Sequence, residues 1–170
     1  PRTLNHVLQK CHRTHGRRVA RHNGVVDYLK RGLEKRGYSV IAEPSLQGET
    51  RMYKPDLVAS RHDKTIVLDA QIVTDGLDLD RAHQSKVEIY DRQDVRTALR
   101  EIFQARENIE VVSVTLNWRG IWSFQSVTRL RTLGVLNADD SNVISARVVS
   151  NGVFGFRTFM FHAGYFSGIR

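Results

Sequence analysis

Apolar residues along this chain recur with two different periods, and these separate predicted helices from predicted strands. Val19, Val26, Leu29 and Leu33 fall near one face of a helix, with basic residues on the other face. The run from Thr65 to Val73 is almost continuously apolar, which is typical of a strand buried on both sides. In chain order the pattern predicts helix 17–36, strands 38–43, 54–60 and 65–73, helix 79–106, strand 110–118, and helices 123–133 and 140–151.

This order of elements predicts an α/β fold with a mixed central sheet of about four strands flanked by helices. A parallel crossover through the long helix can bring the fourth strand beside the first three. We expect a loose lead-in with one helical turn over residues 1–16 and a polar loop over 44–51. The aromatic and glycine-rich stretch 154–166 receives no predicted element.

Length and composition predict one globular domain, since the chain has 170 residues and 41% of them are hydrophobic. No run of about 18 apolar residues occurs, so we expect no membrane partner. With Cys11 as its single cysteine, the chain forms no internal disulfide. Because it starts at Pro1 in mid-pattern, we expect it to be a piece of a longer polypeptide.

Positive charge is concentrated at the amino end of the chain. The whole chain has a net charge of +8, and residues 1–36 carry all of it, with ten Lys or Arg against Asp27 and Glu34. The remaining bases and acids cancel. A local basic region of this kind favours a nucleic-acid partner, although a solvated basic helix face remains the alternative.

Two aspartates stand at the centre of the candidate chemistry. Asp56 opens the second predicted strand in Lys54-Pro55-Asp56, and Asp69 lies in the middle of the third strand. If residues 62–63 form a two-residue hairpin loop, Asp56 and Asp69 lie directly opposite each other on one face of the sheet. A shift of two positions in the register keeps them on the same face.

Two carboxylates so close together repel each other unless a cation intervenes, and Mg²⁺ is a suitable cation because it prefers oxygen ligands. Phosphodiester hydrolysis at such a metal needs a further cation nearby. The position two residues after Asp69 holds the uncharged Gln71. His83, Lys86 and Tyr90 share one face of the following helix, and of these Lys86 is the best candidate.

Taken together, these residues resemble the restriction-like endonuclease domain of site-specific non-LTR (LINE-type) retrotransposons that insert into ribosomal RNA genes. That domain belongs to the PD-(D/E)xK nuclease superfamily. The resemblance rests on Lys54-Pro55-Asp56, a twelve-residue gap, Asp69, and the later Lys86 and Tyr90. Two further segments, Arg21-His22-Asn23 and Arg119-Gly120-Ile121-Trp122, also match.

The resemblance implies a restriction-endonuclease-like core over residues 17–170 and a nicking activity that exposes a 3′ hydroxyl for target-primed reverse transcription. It implies Asp56 and Asp69 as ligands of Mg²⁺ (Mn²⁺ as a substitute), Lys86 in place of the superfamily lysine, and Tyr90 beside the site. The residues expected to contact DNA are Lys10, Arg17, Arg18, Arg21, His22 and Lys54, with support of the site as the alternative role of Arg21 and His22. The expected partners are double-stranded DNA, the rest of the parent reverse transcriptase polypeptide and its RNA, in the nucleus or nucleolus.

Residues 1–16 resemble the remnant of a preceding zinc-knuckle and linker region. His6 and Cys11 match the second half of that knuckle, but the two earlier cysteines are absent. One His and one Cys cannot complete a tetrahedral zinc site, so we expect no zinc in this fragment.

Three other functions stay open at this point. A resolvase-type, structure-specific nuclease would share the same core. A DNA-binding module with a weak or dormant site is favoured by Gln71 in place of lysine. A plain structural domain with a basic tail would bind DNA with only a shallow dependence on salt.

Overall fold

The helices and strands surround one central sheet in the computed structural model, which describes residues 3–62, 64–104 and 108–164. The helices are α1 (Leu4–Gln9), α2 (His15–Lys35), α3 (Leu79–Tyr90), α4 (Gln93–Phe103), α5 (Phe124–Thr132) and α6 (Ala138–His162), with a 3₁₀ turn at His12–Thr14. The strands are β1 (Ser39–Ala42), β2 (Leu46–Gln47), β3 (Met52–Tyr53), β4 (Leu57–Arg61), β5 (Lys64–Val73) and β6 (Asn108–Asn117). Among these helices, none has the length and apolar character that crossing a membrane requires.

The sheet has the strand order β1-β4-β5-β6, and β2 and β3 form a separate short hairpin. β1 and β5 each run antiparallel to β4, whereas β6 runs parallel to β5. The predicted mixed α/β sheet of four strands with flanking helices is therefore confirmed. The α3–α4 segment supplies the crossover between the two parallel strands.

Alternate residues of the central strands pack against different helices, because neighbouring side chains of a strand point to opposite faces. Leu57, Leu68 and Ala70 belong to a cluster with residues of α2, α5 and α6. Val58 and Val67 belong to a second cluster with residues of α4 and with the β2–β3 hairpin. Asp69 lies two residues after Val67 on β5, so its side chain points to the same face as that of Val67. This is the face on which α3 and α4 lie.

Local sequence signals explain where the main helices begin and end. Gly37 has φ +82° directly after α2, and the backbone N–H of Tyr38 donates to the Leu33 carbonyl oxygen, which is the usual glycine-dependent helix stop. The Asp78 carboxylate caps α3 by accepting from the N–H groups of Asp80 and Arg81. These two signals fix the helices that carry the candidate site.

Several predicted boundaries are corrected. The predicted helix 79–106 is two helices, because the polar run from Asp91 to Asp94 interrupts the apolar spacing and lets α4 turn towards β2. The predicted last helix extends through most of the unassigned aromatic stretch, to His162; residues 163–164 form a turn, and 165–166 lie outside the described residues. The predicted loop 44–51 contains β2. Val19, predicted on the apolar face of the first long helix, is 43% exposed, and Val25 takes the core position on α2.

The amino-terminal segment is folded against the domain rather than loose. Val7, Leu8 and Cys11 are buried in a third cluster with Trp118 and Phe159. Residues 3–16 therefore form part of the same packed unit as the rest of the described chain.

Candidate functional site

Asp56 and Asp69 come together where β4 begins. The backbone pairs Arg61–Lys64 and Leu57–Leu68 of β4 and β5 have the predicted register, and one further step along both strands places Asp56 opposite Asp69. The Asp56 Oδ2 atom accepts a 2.7 Å hydrogen bond from the Ala70 backbone N–H, and the two carboxylates interact with each other. The predicted hairpin between β4 and β5 is thus present, although residue 63 of its loop lies outside the described part of the chain.

His22 reaches this centre from α2. Its Nε2 atom lies 3.2 Å from Asp56 Oδ2 and 3.2 Å from the Ala70 carbonyl oxygen. The hydrogen bond with Asp56 raises the pKa of His22 to about 9, against the opposing effect of burial. At neutral pH His22 is therefore a protonated donor that holds Asp56 in place.

Lys86 and Tyr90 reach the same centre from α3, on the opposite face of the sheet from α2. The Lys86 Nζ atom lies 3.2 Å from Asp69 Oδ1. The Tyr90 hydroxyl donates to the Lys54 carbonyl oxygen at 3.1 Å and also contacts the Asp69 carboxylate. The structure therefore brings together all four residues that the sequence singled out for catalysis, with His22 as a fifth member.

The two carboxylates differ in their pKa values because their surroundings differ. Burial raises the pKa of Asp69 to about 6, with the Asp56 charge acting in the same direction and Tyr90 and Lys86 acting against it. Burial also acts on Asp56, but the hydrogen bonds from His22 and from the Ala70 N–H outweigh it and lower the pKa of Asp56. Asp69 is thus the acid that gains most from a nearby cation.

The set of donor atoms at this centre fits a magnesium ion. It consists of oxygen atoms, from the Asp56 and Asp69 carboxylates and the Ala70 carbonyl group, and Mg²⁺ commonly uses one or two carboxylates together with waters. Within the described ranges, no group of three His, Cys, Asp or Glu side chains could hold a metal ion. The protein would therefore supply two acidic ligands and leave other positions to water or substrate.

Gln71 and His83 have structural partners rather than a place beside the acids. The Gln71 amide Nε2 donates to the Ala82 carbonyl oxygen and to Thr115 Oγ1, both at 2.9 Å. His83 is buried with its Nδ1 atom 3.1 Å from the Ser113 carbonyl oxygen, and burial lowers the pKa of its ring. Both side chains attach α3 to the sheet.

The residues expected to contact DNA occupy different environments. Lys10, Arg17 and Lys54 are exposed, and Arg18 is half-buried with a bond to the Cys11 carbonyl oxygen. Arg21 is only 3% exposed, and its guanidinium donates to the Leu8 carbonyl oxygen and to Gln9 Oε1.

Arg21 therefore does not lie on a surface that DNA could reach, and the structure replaces that prediction with a role in packing. Burial lowers the pKa of Arg21 to about 10. Its guanidinium joins α2 to α1, since Leu8 and Gln9 lie at the end of α1. An arginine on an otherwise basic helix gives no sequence signal that separates these two environments.

His6 and Cys11 lie in different environments. Cys11 is buried in the apolar cluster with Trp118 and Phe159, whereas His6 is exposed on α1.

Two contacts of the centre were not predicted from the sequence. The bond between His22 and Asp56 spans 34 residues and depends on how α2 lies on the sheet. The bond between Gln71 and Ala82 depends on where α3 settles. The resemblance did single out His22, but it left open whether His22 touches DNA or supports the site.

Fold and site together define a mixed α/β domain with paired carboxylates, a lysine and a protonated histidine at its two central strands, where β4 begins beside β5. No family model matches the chain. Its homologues are retrovirus-related Pol polyproteins of R2 retrotransposable elements. The chain is 56% identical over 165 residues to the polyprotein of the type-2 element R2DM of Drosophila melanogaster, which covers 97% of the chain and 16% of that relative.

Two further homologues come from type-1 R2 elements. The relative from Nasonia vitripennis is 29% identical over 160 residues, and the one from Bradysia coprophila is 36% identical over 135 residues. These alignments cover 94% and 79% of the chain but only 16% and 15% of the relatives. The chain thus spans about one sixth of the length of these three relatives.

Proposed function

We propose that this chain is a metal-dependent DNA endonuclease domain that nicks DNA by phosphodiester hydrolysis. The observation that carries the proposal is the convergence of Asp56, Asp69 and Lys86 on one point, from the start of β4, the middle of β5 and the helix α3. Paired carboxylates with an adjacent amine suit phosphodiester hydrolysis, because they can hold a metal ion and offset charge on the phosphate.

We also propose that the domain acts within a larger R2-type polyprotein, as its homologues suggest. Its nick in a ribosomal RNA gene would expose the 3′ hydroxyl that primes reverse transcription. Its partners would then be double-stranded DNA, the remaining polypeptide and its RNA, and it would act in the nucleus.

The ion would be Mg²⁺, with Mn²⁺ as a substitute in vitro, held by Asp56, Asp69 and the Ala70 carbonyl oxygen. When bound, it would supply a water of lowered pKa and positive charge at the scissile phosphate. Lys86 would hold the attacking water or offset transition-state charge from its position next to Asp69. His22 would keep Asp56 ionised and oriented, and Tyr90 would support the Asp69 carboxylate.

The test is a plasmid-nicking assay with Mg²⁺ and with EDTA on the wild type and on Asp69→Asn and Lys86→Ala. Both substitutions should reduce the nicking rate by at least about 100-fold, because each removes a group that stabilises the transition state. Asp91→Asn is the matched control, since Asp91 is an exposed acid at the end of α3 that pairs with Arg96. A Mg²⁺-dependent rate that stays normal in Asp69→Asn would refute the proposal.

A second candidate function is a DNA-binding module that does not cut. It is favoured by the engagement of Gln71 in a structural network at the position where a lysine is expected. This alternative predicts no nicking by the wild type and DNA affinity that is equal in the wild type and Asp69→Asn. In either case a surface that contacts phosphates loses affinity steeply with salt, by about 0.9 in log K per log salt for each phosphate neutralised.

A further inference from the structure

Gln71 forms a second connection between the strand that carries Asp69 and the helix that carries Lys86. It lies two residues after Asp69 on the same face of β5. Both of its amide protons have acceptors, because Nε2 lies 2.9 Å from the Ala82 carbonyl oxygen and 2.9 Å from Thr115 Oγ1. The bond to Ala82 links Gln71 to α3, and the bond to Thr115 links it to β6, so the connection to α3 is the Ala82 bond alone.

The acceptor on α3 is directly linked to Lys86. In an α-helix the backbone N–H of residue i donates to the carbonyl oxygen of residue i−4, so Ala82 is the acceptor for the N–H of Lys86. The same carbonyl oxygen thus receives Gln71 from the strand and Lys86 from the helix. At the other end of the lysine side chain, Nζ lies 3.2 Å from Asp69.

Other contacts dock the rest of α3 independently of Gln71. Near its start, Asp80 Oδ1 accepts from the Ser123 hydroxyl at 2.5 Å and from the Gln125 N–H at 3.1 Å. One turn later, His83 Nδ1 lies 3.1 Å from the Ser113 carbonyl oxygen. We therefore expect loss of the Gln71 bond to loosen the turn that carries Lys86, while these contacts keep the helix on the sheet.

We propose that Gln71 is a positioning residue that sets where the Lys86 amine stands relative to Asp69. The proposal rests on the proposed nuclease function. Gln71 does not replace a catalytic lysine here; it holds the helix turn from which Lys86 reaches the acids. Since Gln71 touches no substrate in this role, it acts on the chemical step through Lys86.

The test uses Gln71→Met, which keeps the side-chain length and removes both donors. It should lower kcat for Mg²⁺-dependent nicking about 10- to 100-fold, because a displacement of about 1 Å at a reacting centre costs on that order. The KM for DNA should stay unchanged. The matched control is Thr115→Val, which disturbs the same buried network but leaves the Gln71–Ala82 bond in place, and it should stay within about threefold of the wild type.

A double-mutant cycle separates positioning from general damage to the fold. If Gln71 acts through Lys86, Gln71→Met should cost no more than about a further threefold once Lys86→Met is present. Losses of the two variants that multiply would overturn the proposal, as would a normal kcat in Gln71→Met.

A measurement that needs no activity decides the inference if the wild type does not nick. Brief acetylation followed by mass spectrometry compares the reactivity of the Lys86 amine with that of exposed Lys54 in the same sample. Gln71→Met should raise the relative reactivity of Lys86 at least about threefold, and Thr115→Val should not, because only the former releases the Lys86 turn from the strand. Equal reactivity in the wild type and Gln71→Met overturns the inference, whereas absent nicking with raised reactivity refutes only the nuclease function.

Discussion

Asp69 should destabilise the folded protein when no metal is present. Raising the pKa of Asp69 from 3.8 to about 6 corresponds to about 3 kcal/mol at neutral pH, because a tenfold change in an ionisation constant is worth about 1.4 kcal/mol. This net value already contains the attraction of Lys86, and Asp69 is only 7% exposed. Since an amide keeps weaker hydrogen bonds than a carboxylic acid would, we expect Asp69→Asn to raise the free energy of unfolding by about 1–3 kcal/mol.

The assay is urea unfolding in EDTA at pH 7.5, followed at lower pH. Because the pKa of Asp69 is raised in the folded state, its contribution favours folding below about pH 4 and is lost as pH rises through about 6. The advantage of Asp69→Asn should therefore be largest above pH 6 and shrink on acidification. Added Mg²⁺ should stabilise the wild type more than the variant, since binding to the folded state alone adds to its stability.

The control is again Asp91→Asn, which removes the same charge from an exposed acid and should lower stability by no more than about 1 kcal/mol. If Asp69→Asn is less stable than the wild type in EDTA at pH 7.5, the physical account of this centre is refuted. A stabilised variant that also fails to nick would instead show that stability is given up at this position for function.

Three further predictions concern the fold. Leu33→Ala, at a fully buried position of α2, should lower the free energy of unfolding in urea by about 2–5 kcal/mol. Val19→Ala, on the exposed face of the same helix, should change it by less than about 0.5 kcal/mol, and similar losses in the two variants would contradict the observed packing of α2. Arg21→Ala should lower the free energy of unfolding by about 2–3 kcal/mol, because it leaves the Leu8 carbonyl oxygen and Gln9 Oε1 without their donor. It should not change the slope of log K for DNA binding against log salt concentration; a slope smaller by about one would show that Arg21 contacts a phosphate. Asp140→Asn should cost about 1–2 kcal/mol at pH 7, because this carboxylate accepts from Tyr28, Arg36 and a backbone N–H, which together lower its pKa. The loss should shrink as pH falls below 3.8 and disappear as pH passes through the lowered pKa of the folded state; a loss independent of pH would refute this account.

The sequence predicted the sheet and the acidic pair because both depend on local patterns. Period-two alternation and a two-residue hairpin loop together determine which residues of β4 and β5 face each other. The pairing of Arg61 with Lys64 therefore carries through to Asp56 and Asp69 without any long-range information. The face of α3 that carries Lys86 and Tyr90 follows in the same way from helical spacing.

The sequence did not predict the break between α3 and α4 or the full length of α6. Apolar residues such as Tyr90 and Val95 lie on both sides of the break, and no Gly or Pro occurs between residues 79 and 106, so the pattern favours one continuous helix. They pack in one cluster only because the chain turns at Asp91 and Arg92 and places α4 against the β2–β3 hairpin. The carboxyl-terminal stretch has aromatic residues on several faces and therefore no clear period, yet it continues α6 to His162.

The sequence by itself determined which side chains could meet at the centre, because alternation in strands and spacing in helices follow from the covalent geometry of the backbone. Only the tertiary structure decided the state of that centre. Burial raises the pKa of Asp69, the position of α2 pairs His22 with Asp56, and the position of α3 lets Gln71 bind Ala82. These effects depend on solvent exclusion and on distances between segments far apart in the chain, which local patterns do not encode.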